Sequence, residues 1–180
     1  MRIGRNDVIV AAVTGVVAVA MLVIGPVLAQ TDPSVAGDAP AVGSSAWLLG
    51  LVAVVVQSVL VAWVRGAPSS ALLAIAAVPL AVSPLDLGVV FGVTALPVAV
   101  AVYRAVVHWR PRARWWVLAV VAVVLVVANV IEARDDPGGG VVVGLAVLQA
   151  VLVVGAPLLL ALFVAAQHAT RSAQRAEIQA

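Results

Sequence analysis

Residues Val8 to Ala29 read VIVAAVTGVVAVAMLVIGPVLA, a stretch of 22 residues without a charged side chain. A helix needs about 20 apolar residues to cross a hydrocarbon core of ~30 Å, so this run alone is long enough to span a membrane. Five further uncharged apolar runs follow, at residues 46–64, 70–85, 87–103, 115–131 and 141–166. The chain as a whole agrees: 64% of its 180 residues are hydrophobic, 10% are charged, and its mean hydropathy is +1.21. A soluble domain has about half apolar and a quarter charged residues. A chain this small buries only ~70% of the surface that it exposes unfolded, and could not hide so much apolar surface from water. Composition therefore excludes a soluble globular enzyme, a disordered chain and a nucleic-acid-binding domain. The fold expected is an all-α polytopic transmembrane helix bundle of six spans, its main partner the lipid bilayer.

Charge sets the expected orientation. All ten basic residues are Arg and none is Lys, a bias that suggests a high-GC bacterial genome. Lys/Arg-rich connections stay cytoplasmic. With six spans and a cytoplasmic N-terminus, Arg2, Arg5, Arg65, Arg104, Arg110, Arg112, Arg114, Arg171 and Arg175 lie inside, joined by Asp7 and Glu177. Only Arg134 lies outside, with Asp32, Asp38, Asp86, Glu132, Asp135 and Asp136. Arg65, Arg104, Arg110, Arg112 and Arg114 are the topology-determining residues, and both termini are expected in the cytoplasm of a bacterial cell, in its inner (plasma) membrane. The sequence pI of about 10.4 then follows from where the arginines stand and needs no nucleic-acid partner. Trp47, Trp63, Tyr103, Trp109, Trp115 and Trp116 fall at the span ends, where amphipathic rings prefer the headgroup level.

Two runs have competing readings. Residues 70–103 read as two crossings joined at Ser83-Pro84-Leu85-Asp86 in preference to a re-entrant hairpin, because a re-entrant tip would carry Asp86 toward the bilayer centre. The first run resembles a signal peptide in ending Val27-Leu28-Ala29, but a signal core is ~7–15 residues long. A retained first helix is the reading preferred.

The side chains offer little chemistry. Cysteine and lysine are absent, which removes disulfides, thiolate nucleophiles, Cys-ligated metals and a phosphate-loop lysine. His108 and His168 stand in separate juxtamembrane segments with no acid beside them. No catalytic, cofactor-binding or metal site is expected. Inside the spans the polar residues are Thr14, Gln57, Ser58, Thr94, Asn129 and Gln149. Such groups join helices by hydrogen bonds or line a ligand-sensing cavity, and Gln57, Asn129 and Gln149 are the candidates for either role. Gly88 and Gly92 form a small-xxx-small pair suited to close helix packing, within the chain or in a homodimer. Pro26, Pro79, Pro97 and Pro157 can each kink a span. Residues 167–180 continue the last span as an increasingly polar exit helix.

Several short motifs then line up along the chain. Arg65 and Ala67-Pro68 close the second span, and Ser83-Pro84-Leu85-Asp86-Leu87 opens a fourth that closes on Tyr103-Arg104. Trp109-Arg110-Pro111-Arg112-Ala113-Arg114 leads into the fifth span, and Thr170-Arg171-Ser172-Ala173-Gln174-Arg175-Ala176-Glu177 follows the sixth. This layout resembles the six-helix membrane input domains at the N-terminus of sensor histidine kinases in bacterial two-component systems. The resemblance implies a sensory or signal-transducing function, a homodimer, and a cytoplasmic kinase or response-regulator output. The chain departs from that family in having Arg65 alone after the second span, no phosphoacceptor histidine beside an acid and no ATP-binding region, so no phosphoryl transfer is expected of these residues. A small transport subunit, such as the substrate-binding component of an importer, and a structural accessory protein are the other readings.

Overall fold

The structure is a computed structural model that describes residues 4–31, 40–85, 87–108, 115–134 and 139–179. Among them every regular element is helical: α1 (Arg5–Thr31), α2 (Ser45–Val61), α3 (Pro68–Val82), a 3-10 turn (Ser83–Leu85), α4 (Val89–Val93), α5 (Ala95–His108), α6 (Trp115–Glu132) and α7 (Gly139–Gln179). Five stretches are long and apolar enough to cross a membrane, α4 and α5 contributing to one of them; α2 is a shorter apolar helix. Local chemistry sets several boundaries. Ser44 caps α2 by accepting the Trp47 N–H at 3.2 Å, and Pro68 starts α3 at a position where its missing N–H costs nothing.

The helices form an arc in the order α1, α2, α3, α6, α7, each packed on the next. Helix α5 lies inside the arc, against α1, α2, α3 and α7. Accordingly 44% of the α4–α5 span is buried, against 17% for α7. Large apolar side chains point outward, with Val16 at 69% and Leu159 at 68% exposure, as a lipid-facing surface requires.

Two apolar clusters make up the core. The larger includes Val61, Val64, Val98, Ala105 and Val117; the other gathers Ala18, Leu22, Val54, Leu87, Phe91 and Ala128. Helix α3 contributes to both clusters, through Leu72 and Leu80, and so does the α4–α5 pair, through Val102 and Phe91.

The sequence-based boundaries shift in two places. The fourth run is broken, not continuous, because Pro97 has no N–H to give the Val93 carbonyl and the chain turns at Thr94 before resuming as α5. That run also extends past residue 103, which places Arg104 inside α5 and not in the connecting loop. At the far end, α7 continues from the sixth run through the exit segment as one helix of 41 residues.

Candidate functional site

Between helices already surrounded by lipid, burying apolar surface gains little, and close packing and hydrogen bonds decide the arrangement. The long-range polar contacts therefore mark the parts of the bundle that are held in place. Three of them end on the broken α4–α5 span: one before α4, one at the break and one near the end of α5.

At the Asp7 end, Arg104 Nη2 donates to Asp7 Oδ1. Both side chains are buried, at 8% and 4% exposure, which makes this an interior ion pair between α5 and the first turn of α1. The Gly4 N–H donates to Asp7 Oδ2 at 2.9 Å, and Arg65 Nη1 approaches the same oxygen at 3.8 Å from an exposed position. Arg104 Nη1 is buried with no hydrogen-bond acceptor. One carboxylate thus faces two guanidinium groups.

At the break, Gln57 is fully buried on α2, and its Nε2 donates to the Ile75 and Thr94 carbonyls, both at 3.1 Å. The first bond has a cause in the sequence. A helical carbonyl takes its hydrogen bond from the N–H four residues on, and four residues after Ile75 stands Pro79, which has none. Gln57 supplies the missing donor. Because both neighbours are acceptors, the amide orientation is settled, and Oε1 is left buried without a partner. The same complementarity recurs between α1 and α2: Trp47 Nε1 donates to the Leu22 carbonyl at 3.0 Å, and Pro26 stands four residues beyond Leu22.

At the opposite end, the Gly88 N–H donates to Glu132 Oε1 at 2.7 Å, tying the start of α4 to the last turn of α6. Gly88 has φ 53° and ψ −131°, a conformation that a residue with a Cβ adopts only under strain.

The residues singled out in the sequence fare differently. Gln57 does join helices. Asn129 does not: its Nδ2 donates to the Leu125 carbonyl of its own helix at 2.8 Å. Thr14, Ser58 and Thr94 likewise bond backbone carbonyls three or four residues back. Gln149 is half-buried on α7. Gly88 stands in the turn before α4 with a positive φ, and a Cβ added to Gly92 would meet nothing within 4 Å. Arg65 is exposed beside Asp7, Arg104 is buried, and Arg110, Arg112 and Arg114 lie outside the described residues.

Sequence reasoning missed the partners Asp7, Glu132 and Trp47, which it read only as topology markers and an interfacial anchor. Among the described residues no group of three or more His, Cys, Asp or Glu could hold a metal ion. The arrangement is suited to fixing the position of the central span. No protein-family model, curated protein or solved structure matches this chain.

Proposed function

We propose that this chain is a sensory, signal-transducing membrane domain of a bacterial plasma membrane, with six spans and both termini in the cytoplasm, acting as a dimer on a cytoplasmic kinase or response-regulator output. Its stimulus is the state of the bilayer or a small hydrophobic molecule. The observation that carries the reading is α7. At ~1.5 Å per residue its 41 residues extend about 60 Å, twice the ~30 Å of a hydrocarbon core. A single unbroken helix therefore leads from the bundle into water.

Helix α7 packs along α5, the central span held at its ends and its break, so a shift of α5 has a direct mechanical route to the exit segment. The orientation is supported by the arginine distribution, and by the meeting of Gly4, Arg65 and Arg104 at one end of the bundle. The resemblance to histidine-kinase input domains supports the same output.

A fusion tests the reading. With a histidine kinase core joined after Ala180, inserting one or two residues between His168 and Thr170 turns everything beyond by ~100° or ~200°, and inserting seven returns it to within ~20° of its starting phase. Kinase output is expected to change sharply with the short insertions and to recover with the seven-residue one. Output indifferent to insertion length contradicts a helix-transmitted signal.

A further inference from the structure

The outer face of α1 and α2 carries an elongated apolar groove of about 750 Å³. It opens at Val8 and Trp63 and reaches Val19 and Ala20 along α1. That is 13 residues of helix, a rise of ~18 Å, comparable with one leaflet of a ~30 Å core. Small side chains, Ala12, Gly15 and Ser58, leave the space. At Gly15 the two helices are already close, since an added Cβ would stand 3.3 Å from Ser58.

Two of the groove's lining residues are close in sequence to the Asp7 cluster. Val8 follows Asp7, and Trp63 stands two residues before Arg65. Arg65 is 59% exposed there and only loosely paired, and the buried Arg104 Nη1 has no acceptor. Two guanidinium groups sharing one carboxylate leave a positive charge over, and Arg65 stands two residues beyond the groove's Trp63. Trp63, half-exposed at the mouth, is of the type that settles at headgroup depth.

From this juxtaposition we infer that the α1–α2 groove binds one anionic phospholipid, its phosphate on Arg65 and an acyl chain along Ala12, Gly15 and Ser58. The inference rests on the membrane placement proposed above and is independent of any signalling output. A lipid held here would lie against α1 and the loop that carries Arg65, beside the ion pair that anchors α5.

Native mass spectrometry of the full chain released from detergent tests this, with phosphatidylglycerol, phosphatidylcholine of the same acyl chains, or inorganic phosphate added. The expected result is one phosphatidylglycerol retained per chain under activation that strips phosphatidylcholine, with no adduct from phosphate alone. Arg65→Gln is expected to weaken that retention about fivefold, the equivalent of ~1 kcal/mol for one basic residue at an anionic surface. Ala12→Phe, which fills the groove from an exposed position, is expected to abolish it. Both variants replace exposed residues, and a thermal melt in detergent confirms their folding. Equal retention of the two lipids, selectivity that survives Arg65→Gln, or a phosphate adduct equal to that of the lipid overturns the inference. A dimer that Ala12→Phe dissociates without altering lipid retention overturns it too, assigning the groove to a second copy of the chain.

Discussion

Asp7→Asn is expected to destabilise the protein by about 3–5 kcal/mol, the usual consequence of leaving one member of a buried ion pair unneutralised. Arg104 is 8% exposed, its Nη2 is spent on Asp7, and its Nη1 already lacks an acceptor. After the substitution its charge stays in the interior with only a neutral amide beside it. The reverse change, Arg104→Gln, is expected to cost less, because Asp7 keeps the Gly4 N–H and has Arg65 in reach at 3.8 Å. The double variant Asp7→Asn/Arg104→Gln removes both charges and is expected to recover most of the loss. Unfolding by SDS in mixed micelles measures all three. If Asp7→Asn costs no more than Arg104→Gln, or the double variant is as unstable as their sum, the pair does not hold α5 to α1 in the way its geometry indicates.

Gln57→Leu is expected to cost about 1–3 kcal/mol, the penalty for leaving buried carbonyls without a donor, since Ile75 and Thr94 both lose the Nε2 hydrogen bond. A second substitution separates this cause from a simple packing defect. Pro79→Ala restores the backbone N–H that Ile75 lacks. In that background Gln57→Leu is expected to be milder by about 1 kcal/mol, within the range measured for residues that share a partner. Strict additivity of the two changes would mean that Gln57 does not answer the proline.

Much of the architecture is legible in the sequence because the bilayer imposes a coarse rule. Spans must be long, apolar and internally hydrogen-bonded, and runs such as 8–29 and 115–131 announce themselves by length alone. What periodicity could not reveal is which polar groups meet. Gln57 looks no different from Asn129 in sequence, yet one bridges helices and the other turns back on its own backbone. The signal that separates them was present in the prolines. Each internal proline frees the carbonyl four residues before it, and a lone donor at matching depth on a neighbouring helix is its natural partner, as for Pro79 with Gln57 and Pro26 with Trp47. Asp7 and Glu132 were harder to read. Near a span end a charge serves topology equally well in water or in a pair, and only tertiary packing brings Arg104 and the Gly88 N–H to them.

The break at Thr94 gives these contacts a common meaning. The central span is interrupted after its first five residues, is held at its start, its break and near its end, and has α7 packed along it. Signal coupling needs an element with discrete positions that two sites can bias, and the proposed signalling role assigns that part to the α4–α5 span.

The proposed signalling role requires the N-terminus and the end of α7 to share the cytoplasmic face. These 180 residues contain no cysteine, so single cysteines introduced into them report their side of the membrane without background. With a membrane-impermeant maleimide applied to intact cells, Ser34→Cys is expected to label and Ser172→Cys to stay unlabelled until the membrane is permeabilised. Labelling of Ser172→Cys in intact cells would contradict the proposed topology, and the signalling role with it.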